Sequence, residues 1–479
     1  MTPYDAPLFS PAGTTGFAMP PNILLIVLDC VRYDGLGYFG NPRPVSPRLD
    51  ELATRSRCYT QARAAAVWTL ESHASLFTGL YPRQHGVNAE HTFLATGIPT
   101  LAEVLSQLGY QTAAFSTNAW VGPHFGLHRG FAHFFALWRL FPRLGHLPFP
   151  LWEKALRKLV LERRDKGAAK LNRYLRRWWQ QQRDPERPFF LFALYLDAHL
   201  PYRPPRGYAE RLLPAATLRA ARQANQDAWA YMAGQVTMTV QDFIGLRGLY
   251  DAEIAYVDAC VGALLDSLAA AGGLENTVII ITADHGENIG EHGLMDHQYC
   301  VYDTLAHVPL IVHYPDAFPP GDDETPVQHT DLFPTLLDLA TATMAEPPPR
   351  PPLPGRSLLS PAPDRPLQVI QYTAPQRERF IRRYPHFDMA AHGFDRTFDA
   401  IVVRGYKLIR SNRGEIELYD LEDDPAESTD LVRAQPQRVA ALTAELDAWL
   451  ATHPPVGQPP ATALLDKDLA NHLRGLGYL

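Results

Sequence analysis

The run "NILLIVLD", residues 22–29, is apolar from Ile23 to Leu28 without interruption, and Asp29 closes it. A strand with one wet face alternates apolar and polar residues. A run that does not alternate is buried on both faces, as in the interior of a parallel sheet. The pattern recurs in "QTAAFSTN" (111–118), "PFFLFALYLDAH" (188–199), "NTVIIITADHG" (276–286) and "VPLIVHYP" (308–315). Between these runs lie helical patterns such as "TLAEVLSQLG" (100–109) and "YDAEIAYVDACVGALLDSLAAAG" (250–272). The alternation predicts an α/β fold with a central, mostly parallel sheet between helices. In such sheets ligands gather beyond the carboxyl ends of the strands. Asp29, then Asp197 and His199, then Asp284 and His285 stand at those ends.

The chain has 479 residues, a formal net charge of −7 and a pI near 6.2, so no global basic field suits it to hold a nucleic acid polymer. Cys30, Cys58, Cys260 and Cys300 show no CxxC pairing, which fits a reducing compartment better than a disulfide framework. The N-terminus has no basic segment followed by an apolar one, and "NILLIVLD" is far shorter than a membrane span. These features predict a cytoplasmic protein without a transmembrane segment; a homo-oligomer is compatible with them.

Residues 1–20 read as an N-terminal extension and 21–345 as the sheet-and-helix domain. Within the latter, 151–183 is an amphipathic, basic helical insertion: a solvated helix, a lid over an anionic substrate or a membrane-surface contact. The proline-rich stretch 346–366 can continue neither helix nor sheet and reads as a linker. Residues 367–479 form a smaller α+β subdomain and tail. In it "AIVVRGYKLIRSNRGEIELYDLEDDP" (400–425) predicts two alternating segments around an Asn-Arg-Gly turn, followed by a helix.

In "WTLESHASLFTGLYPRQHGV" (68–87), Leu70, Ala74, Phe77 and Leu80 follow helical spacing, while Gly79 and Pro82 are stop signals. Thr69 therefore falls at or near an N-cap, and capping alone accounts for a threonine there. A helix N-terminus also stabilises an oxyanion. A threonine hydroxyl, however, is a feeble nucleophile unless a metal activates it.

Ligands for such a metal are at hand. "ITADHGENIGEHGLMDHQYC" (281–300) carries Asp284, His285 and His297 directly after a buried run, and with Asp29 they suit a divalent cation with mixed oxygen and nitrogen donors. His199 and His297 supply a second metal site or hold the anion and protonate the leaving oxygen. Cys30 reads as a small buried side chain.

Together with "PNILLIVLDCVRYDGLGYFG" (21–40), "VPLIV" (308–312), "DLFPTLLDLA" (331–340), "YKLI" (406–409), "ELYDLEDDPAESTDL" (417–431) and "LRGLGYL" (473–479), these motifs resemble the sulfatase family of the alkaline phosphatase superfamily. The resemblance implies an alkaline-phosphatase-like catalytic domain, a smaller C-terminal sheet domain and a metal-dependent esterase site. Asp29, Asp284 and His285 fall on metal-ligand positions and Thr69 on the nucleophile position. Sulfatases usually carry Cys-x-Pro-Ser-Arg or a serine version there, whose first residue becomes formylglycine. This chain has Thr69-Leu70-Glu71-Ser72-His73, and threonine cannot become that aldehyde. Cys30 also stands where many sulfatases have a second aspartate.

The set Thr69, Asp284, His285 and His297 is similar to threonine-nucleophile relatives: phosphoethanolamine transferases, lipoteichoic acid synthases and nucleotide phosphodiesterases. They imply one or two divalent ions, zinc or manganese favoured, magnesium or calcium compatible, with Thr69 a ligand as well and His199 in the second site. A threonine ester cannot release sulfate as a formylglycine hydrate does, whereas water can cleave phosphothreonine. The expected substrate is therefore a small phosphate ester, preferably a diester, because His73 replaces the arginine that a dianionic monoester needs. The alternatives are a sulfatase without formylglycine and a non-catalytic anion-binding member. His73, His85, Asn118 and Tyr202 lie near predicted strand ends as candidate substrate contacts, although packing accounts equally well for the last three.

Overall fold

The computed structural model describes residues 19–138, 165–360, 367–455 and 469–470. Most of the N-terminal extension, residues 151–164 of the basic insertion, the end of the proline-rich stretch and "LRGLGYL" lie outside the described residues.

The apolar runs become the inner strands of one eight-stranded sheet. In chain order its strands are β1 (Asn22–Leu28), β2 (Arg57–Tyr59), β3 (Gln111–Ser116), β4 (His133–Ala136), β5 (Phe189–Tyr195), β6 (Thr277–Ala283), β7 (Leu310–His313) and β8 (Gly321–Asp323). Their spatial order is β8-β2-β7-β6-β1-β5-β3-β4. β1 lies between β6 and β5, parallel to both, with Leu28 beside Ala283 and Tyr195. β7 alone among these strands runs against its neighbours. Every side chain of β1 from Ile23 to Leu28 is fully buried, and each such aliphatic contributes about 1.5–3 kcal/mol.

The pleat sends alternate residues of β5 to different layers. Phe192 meets Phe77 of the helix Thr69–Thr78 at 4.8 Å, whereas Phe189 meets Trp179 of the helix Ala168–Gln181 at 5.3 Å. The described end of the basic insertion is thus anchored in the protein. Leu171, Asn172, Leu175 and Trp178 are buried, and Tyr195 donates its hydroxyl to Asn172 Oδ1 at 2.6 Å. Among the described residues no helix is long and apolar enough to cross a membrane.

The proline-rich stretch, as far as Ser360, packs on the large domain: Arg356 N–H donates to Asp331 Oδ1 and Leu358 N–H to Thr335 Oγ1, both at 2.8 Å. Beyond it, β9 (Gln368–Tyr372), β10 (Phe398–Val403), β11 (Tyr406–Ser411) and β12 (Ile416–Asp420) form an antiparallel sheet, and the helix Pro436–Thr452 covers it with Leu442, Leu446 and Trp449. The expectation of two strands around Asn412-Arg413-Gly414 is corrected to three. Arg404 and Gly405, at φ 49° and 78°, form an extra two-residue hairpin between β10 and β11, the left-handed pair that matches sheet twist. A buried ionic cluster ties the C-terminal sheet to the large domain: Lys407 Nζ lies 2.8 Å from Asp303 Oδ1 and from Glu427 Oε1, and Arg63 holds Asp303 at 2.7 Å.

Candidate active site

Four neighbouring strands, β6, β1, β5 and β3, end side by side, and their carboxyl ends deliver Asp284 and His285, Asp29, His199 and Asn118 respectively. The helix Thr69–Thr78 points its first residue at the same place. Trp68, extended and without a side-chain capping bond, is the N-cap. Thr69 is therefore the first helical residue and not the cap. Its buried hydroxyl lies 3.2 Å from His285 Nε2. At the far end Gly79 takes φ 69° and stops the helix, as its position in the sequence suggested.

Each ring and carboxylate around Thr69 is held from behind. His285 donates Nδ1–H to the Gly286 carbonyl at 2.9 Å, which leaves the Nε2 lone pair facing the hydroxyl. Asp284 Oδ1 accepts the backbone N–H groups of Cys30 at 3.2 Å and His285 at 2.9 Å. Its Oδ2 has no hydrogen-bond partner among the described residues and stands 3.4 Å from His285 Nε2. Asn118 donates to Asp29 Oδ2 at 2.5 Å while its own oxygen accepts Trp120 N–H at 2.9 Å. Both ends of that amide are engaged in positioning Asp29.

Burial raises the Asp29 carboxyl above its ordinary value, with Asn118, Cys30 and His297 opposing. Burial first and the charge of Asp29 second push Asp284 well up. Burial, reinforced by His297, pushes His285 well down. The carboxylates of Asp29 and Asp284, the latter with one oxygen that has no partner among the described residues, and the neutral His285 imidazole with its lone pair inward are donors of the kind that suit a divalent cation. The residues fit the metal that the family resemblance implies.

On the other flank, the His297 ring stacks on His285 at 4.4 Å and meets His199 at 5.1 Å. His297 Nδ1 lies 2.7 Å from Asp296 Oδ1 and 3.1 Å from Glu287 Oε1. Burial works against its charge, but those two carboxylates hold it well above the usual histidine range. His199 donates Nδ1–H to the Leu200 carbonyl, and burial pushes it down to about 3.

The other candidates are distributed around this centre. His73, buried, donates Nδ1–H to the Thr69 carbonyl at 2.8 Å and lies 3.6 Å from Asp284 Oδ2; its Nε2 has no partner among the described residues. Burial pushes it down to about 4, so it brings no fixed positive charge at neutral pH. Tyr202 is buried edge-on to Tyr250 at 5.5 Å with its hydroxyl lacking a partner among the described residues. His85 bonds instead to Ser75 Oγ of the helix Thr69–Thr78 and to Val87 N–H, at 3.0 and 3.1 Å. Cys30, which reads from the sequence as a packing residue, and Glu287, for which the sequence suggests no role, also meet here. Cys30 Sγ lies 3.1 Å from Asp29 Oδ1 and 3.7 Å from His297 Nδ1, and Glu287 orients His297. The sequence signal of Cys30 is its place after Asp29, where many sulfatases have a second aspartate, and that of Glu287 is adjacency to the Asp284-His285 pair.

Residues 21–342 match the family described as Sulfatase, and 290–453 match N-sulphoglucosamine sulphohydrolase, C-terminal. An arylsulfatase of Clostridium perfringens is 27% identical over 467 residues, covering 87% of this chain and 91% of its own. A choline-sulfatase of Rhizobium meliloti is 27% identical over 468 residues, with 91% and 86% covered. Among solved structures, the phosphonate monoester hydrolase of Agrobacterium radiobacter superposes with a TM-score of 0.69 at 22% identity, covering 91% of this chain and 96% of that one. These structural likenesses bear on the fold, which they share.

Proposed function

The chain belongs to the sulfatase family, and from that membership we propose that it is a metal-dependent hydrolase of small phosphate esters, diesters preferred, with Thr69 as nucleophile. The observation that carries the reading is the Thr69 hydroxyl at the helix mouth, 3.2 Å from His285 Nε2 and free of any capping duty. Asp29, Asp284 and His285, with Thr69 itself, would hold a divalent cation, whose chemistry is to lower the pKa of the hydroxyl and to draw charge from the phosphoryl oxygens.

Thr69 Oγ1 attacks phosphorus in line with the leaving alcohol; the Oγ1–P bond forms as the P–O bond to the alcohol breaks. Water then cleaves the phosphothreonine and returns the hydroxyl. The N–H groups at the helix start and the positive end of its dipole face the phosphoryl oxygens. His297, kept charged by Asp296 and Glu287, serves the leaving-group side as a hydrogen-bond donor, while neutral His199, whose ring hydrogen goes to the Leu200 carbonyl, serves there as an acceptor or as a ligand of a second cation. Neutral His73 supports the diester preference, since a monoester dianion asks for one more positive charge than a diester monoanion.

The names of the relatives favour a second reading, sulfate-ester hydrolysis without formylglycine. Turnover of 4-nitrophenyl phosphodiester, phosphomonoester and sulfate by metal-reconstituted protein separates the readings. Diester turnover should dominate and fall about 10³-fold or more in Thr69→Ala. Dominant sulfate turnover reverses the substrate choice, and activity that survives in the variant removes Thr69 from the chemistry.

A further inference from the structure

Cys30 ends β1 in an unusual conformation. Its φ of 60° lies in the left-handed region that a side chain adopts at a cost, and the thiol is fully buried among ionisable groups rather than apolar ones. We propose that Cys30, His199 and His297 form a thiolate–imidazole cation site, selective for a thiophilic metal such as zinc. The proposal rests on reading the strand-end cluster as a metal centre, and it is independent of which ester is cleaved.

The three ligand atoms, one each from the thiol and the two rings, lie within 4.8 Å of one another, and all three residues are buried. Each histidine has the support that a metal ligand requires behind it. The Leu200 carbonyl accepts from His199 Nδ1, and Asp296 and Glu287 flank His297 Nδ1. The donors come from three separate strand-end segments, so only the folded chain assembles them. One sulfur and two nitrogens favour zinc or cobalt over calcium, magnesium and manganese, which prefer oxygen. Three protein ligands leave a fourth tetrahedral position open, the pattern of catalytic rather than structural zinc.

Metal binding displaces the thiol proton, which now lies toward Asp29 Oδ1 at 3.1 Å. The Cys30 ligand atom also falls within 4.8 Å of those of Asp29 and His285. The sulfur thus lies between the two donor groups, close enough to couple cations in both.

The test uses cobalt(II) added to the full-length metal-free protein, read by bound cobalt per chain and by the near-ultraviolet thiolate-to-cobalt charge-transfer band. The band is expected in wild-type protein and in a control lacking the other three thiols, Cys58→Ser/Cys260→Ser/Cys300→Ser. It is expected to vanish in Cys30→Ser and Cys30→Asp. Cys30→Asp restores an oxygen donor and should still bind cobalt, which shows that loss of the band is not loss of the fold. Cobalt bound to wild-type protein without the band overturns the sulfur site and leaves the Thr69 centre standing. A band that persists in both Cys30 variants also overturns it. A protein that binds no cobalt at all overturns both.

Discussion

The role of His85 divides the functional reading from a packing one, and pH separates them. Val87 N–H donates to His85 Nδ1, so the ring hydrogen is on Nε2, directed at Ser75 Oγ. Protonating Nδ1 would set two donors against each other inside a fully buried site. Burial pushes the group from 6.5 down to about 3, with the Glu71 backbone pulling weakly the other way. A depressed folded value gives stability that is present above the unfolded value of 6.5 and is lost as pH falls toward 3. At pH 5 the unfolded chain has gained about 1.5 units of protonation advantage, or about 2 kcal/mol. In His85→Asn, the amide oxygen can still accept Val87 N–H but the Ser75 contact is lost, so the variant should be about 1–3 kcal/mol less stable at pH 7. Because Asn does not titrate, that deficit should shrink by about 2 kcal/mol at pH 5. Urea unfolding of both proteins at pH 5, 6 and 7 reads the difference, in which the other buried histidines cancel. Michaelis constants for the phosphodiester should not change. A deficit equal at pH 5 and pH 7 refutes the reasoning. So does a tenfold rise in KM at unchanged stability, which would return His85 to the substrate.

Lys407→Met leaves Glu427 buried without its cation, and Asp303 with Arg63 alone; a loss of about 3–5 kcal/mol is expected in chemical denaturation. Adding Glu427→Gln should recover part of it, whereas strictly additive losses would show that the pair is not coupled. Asn118→Ala removes the donor 2.5 Å from Asp29 Oδ2, and zinc affinity measured by calorimetric titration should weaken about 10–100-fold. Unchanged affinity would mean that Asn118 does not position Asp29 for a metal.

Much of the fold was legible because burial on both faces writes itself into composition. Ile23–Leu28, Phe189–Tyr195 and Thr277–Ala283 had no polar alternation, and all three became neighbours in the sheet interior. The extra hairpin at Arg404-Gly405 was not legible, since arginine carries no strong signal for a left-handed conformation. The rule that ligands gather at strand carboxyl ends, applied to the sequence alone, brings Asp29, Asp284, His285 and His199 together. It could not say that Thr69 is the first helical residue rather than its cap, because one residue of phase changes the direction of the hydroxyl and leaves the helical pattern unchanged.

The sequence by itself determined the buried strands of a mostly parallel sheet and the polar groups that follow them, from local periodicity and residue type, and the family resemblance marked Thr69 as standing where an aldehyde precursor usually does. Only the tertiary structure decided what each polar group faces. Cys30 turned from a packing residue into a neighbour of Asp29 and His297, Asn118 into the support of Asp29, and Trp178 into core. The reason is that burial and hydrogen-bond partnership are set by segments hundreds of residues apart, such as Cys30 and His297 with a separation of 267. No local pattern records that distance closing.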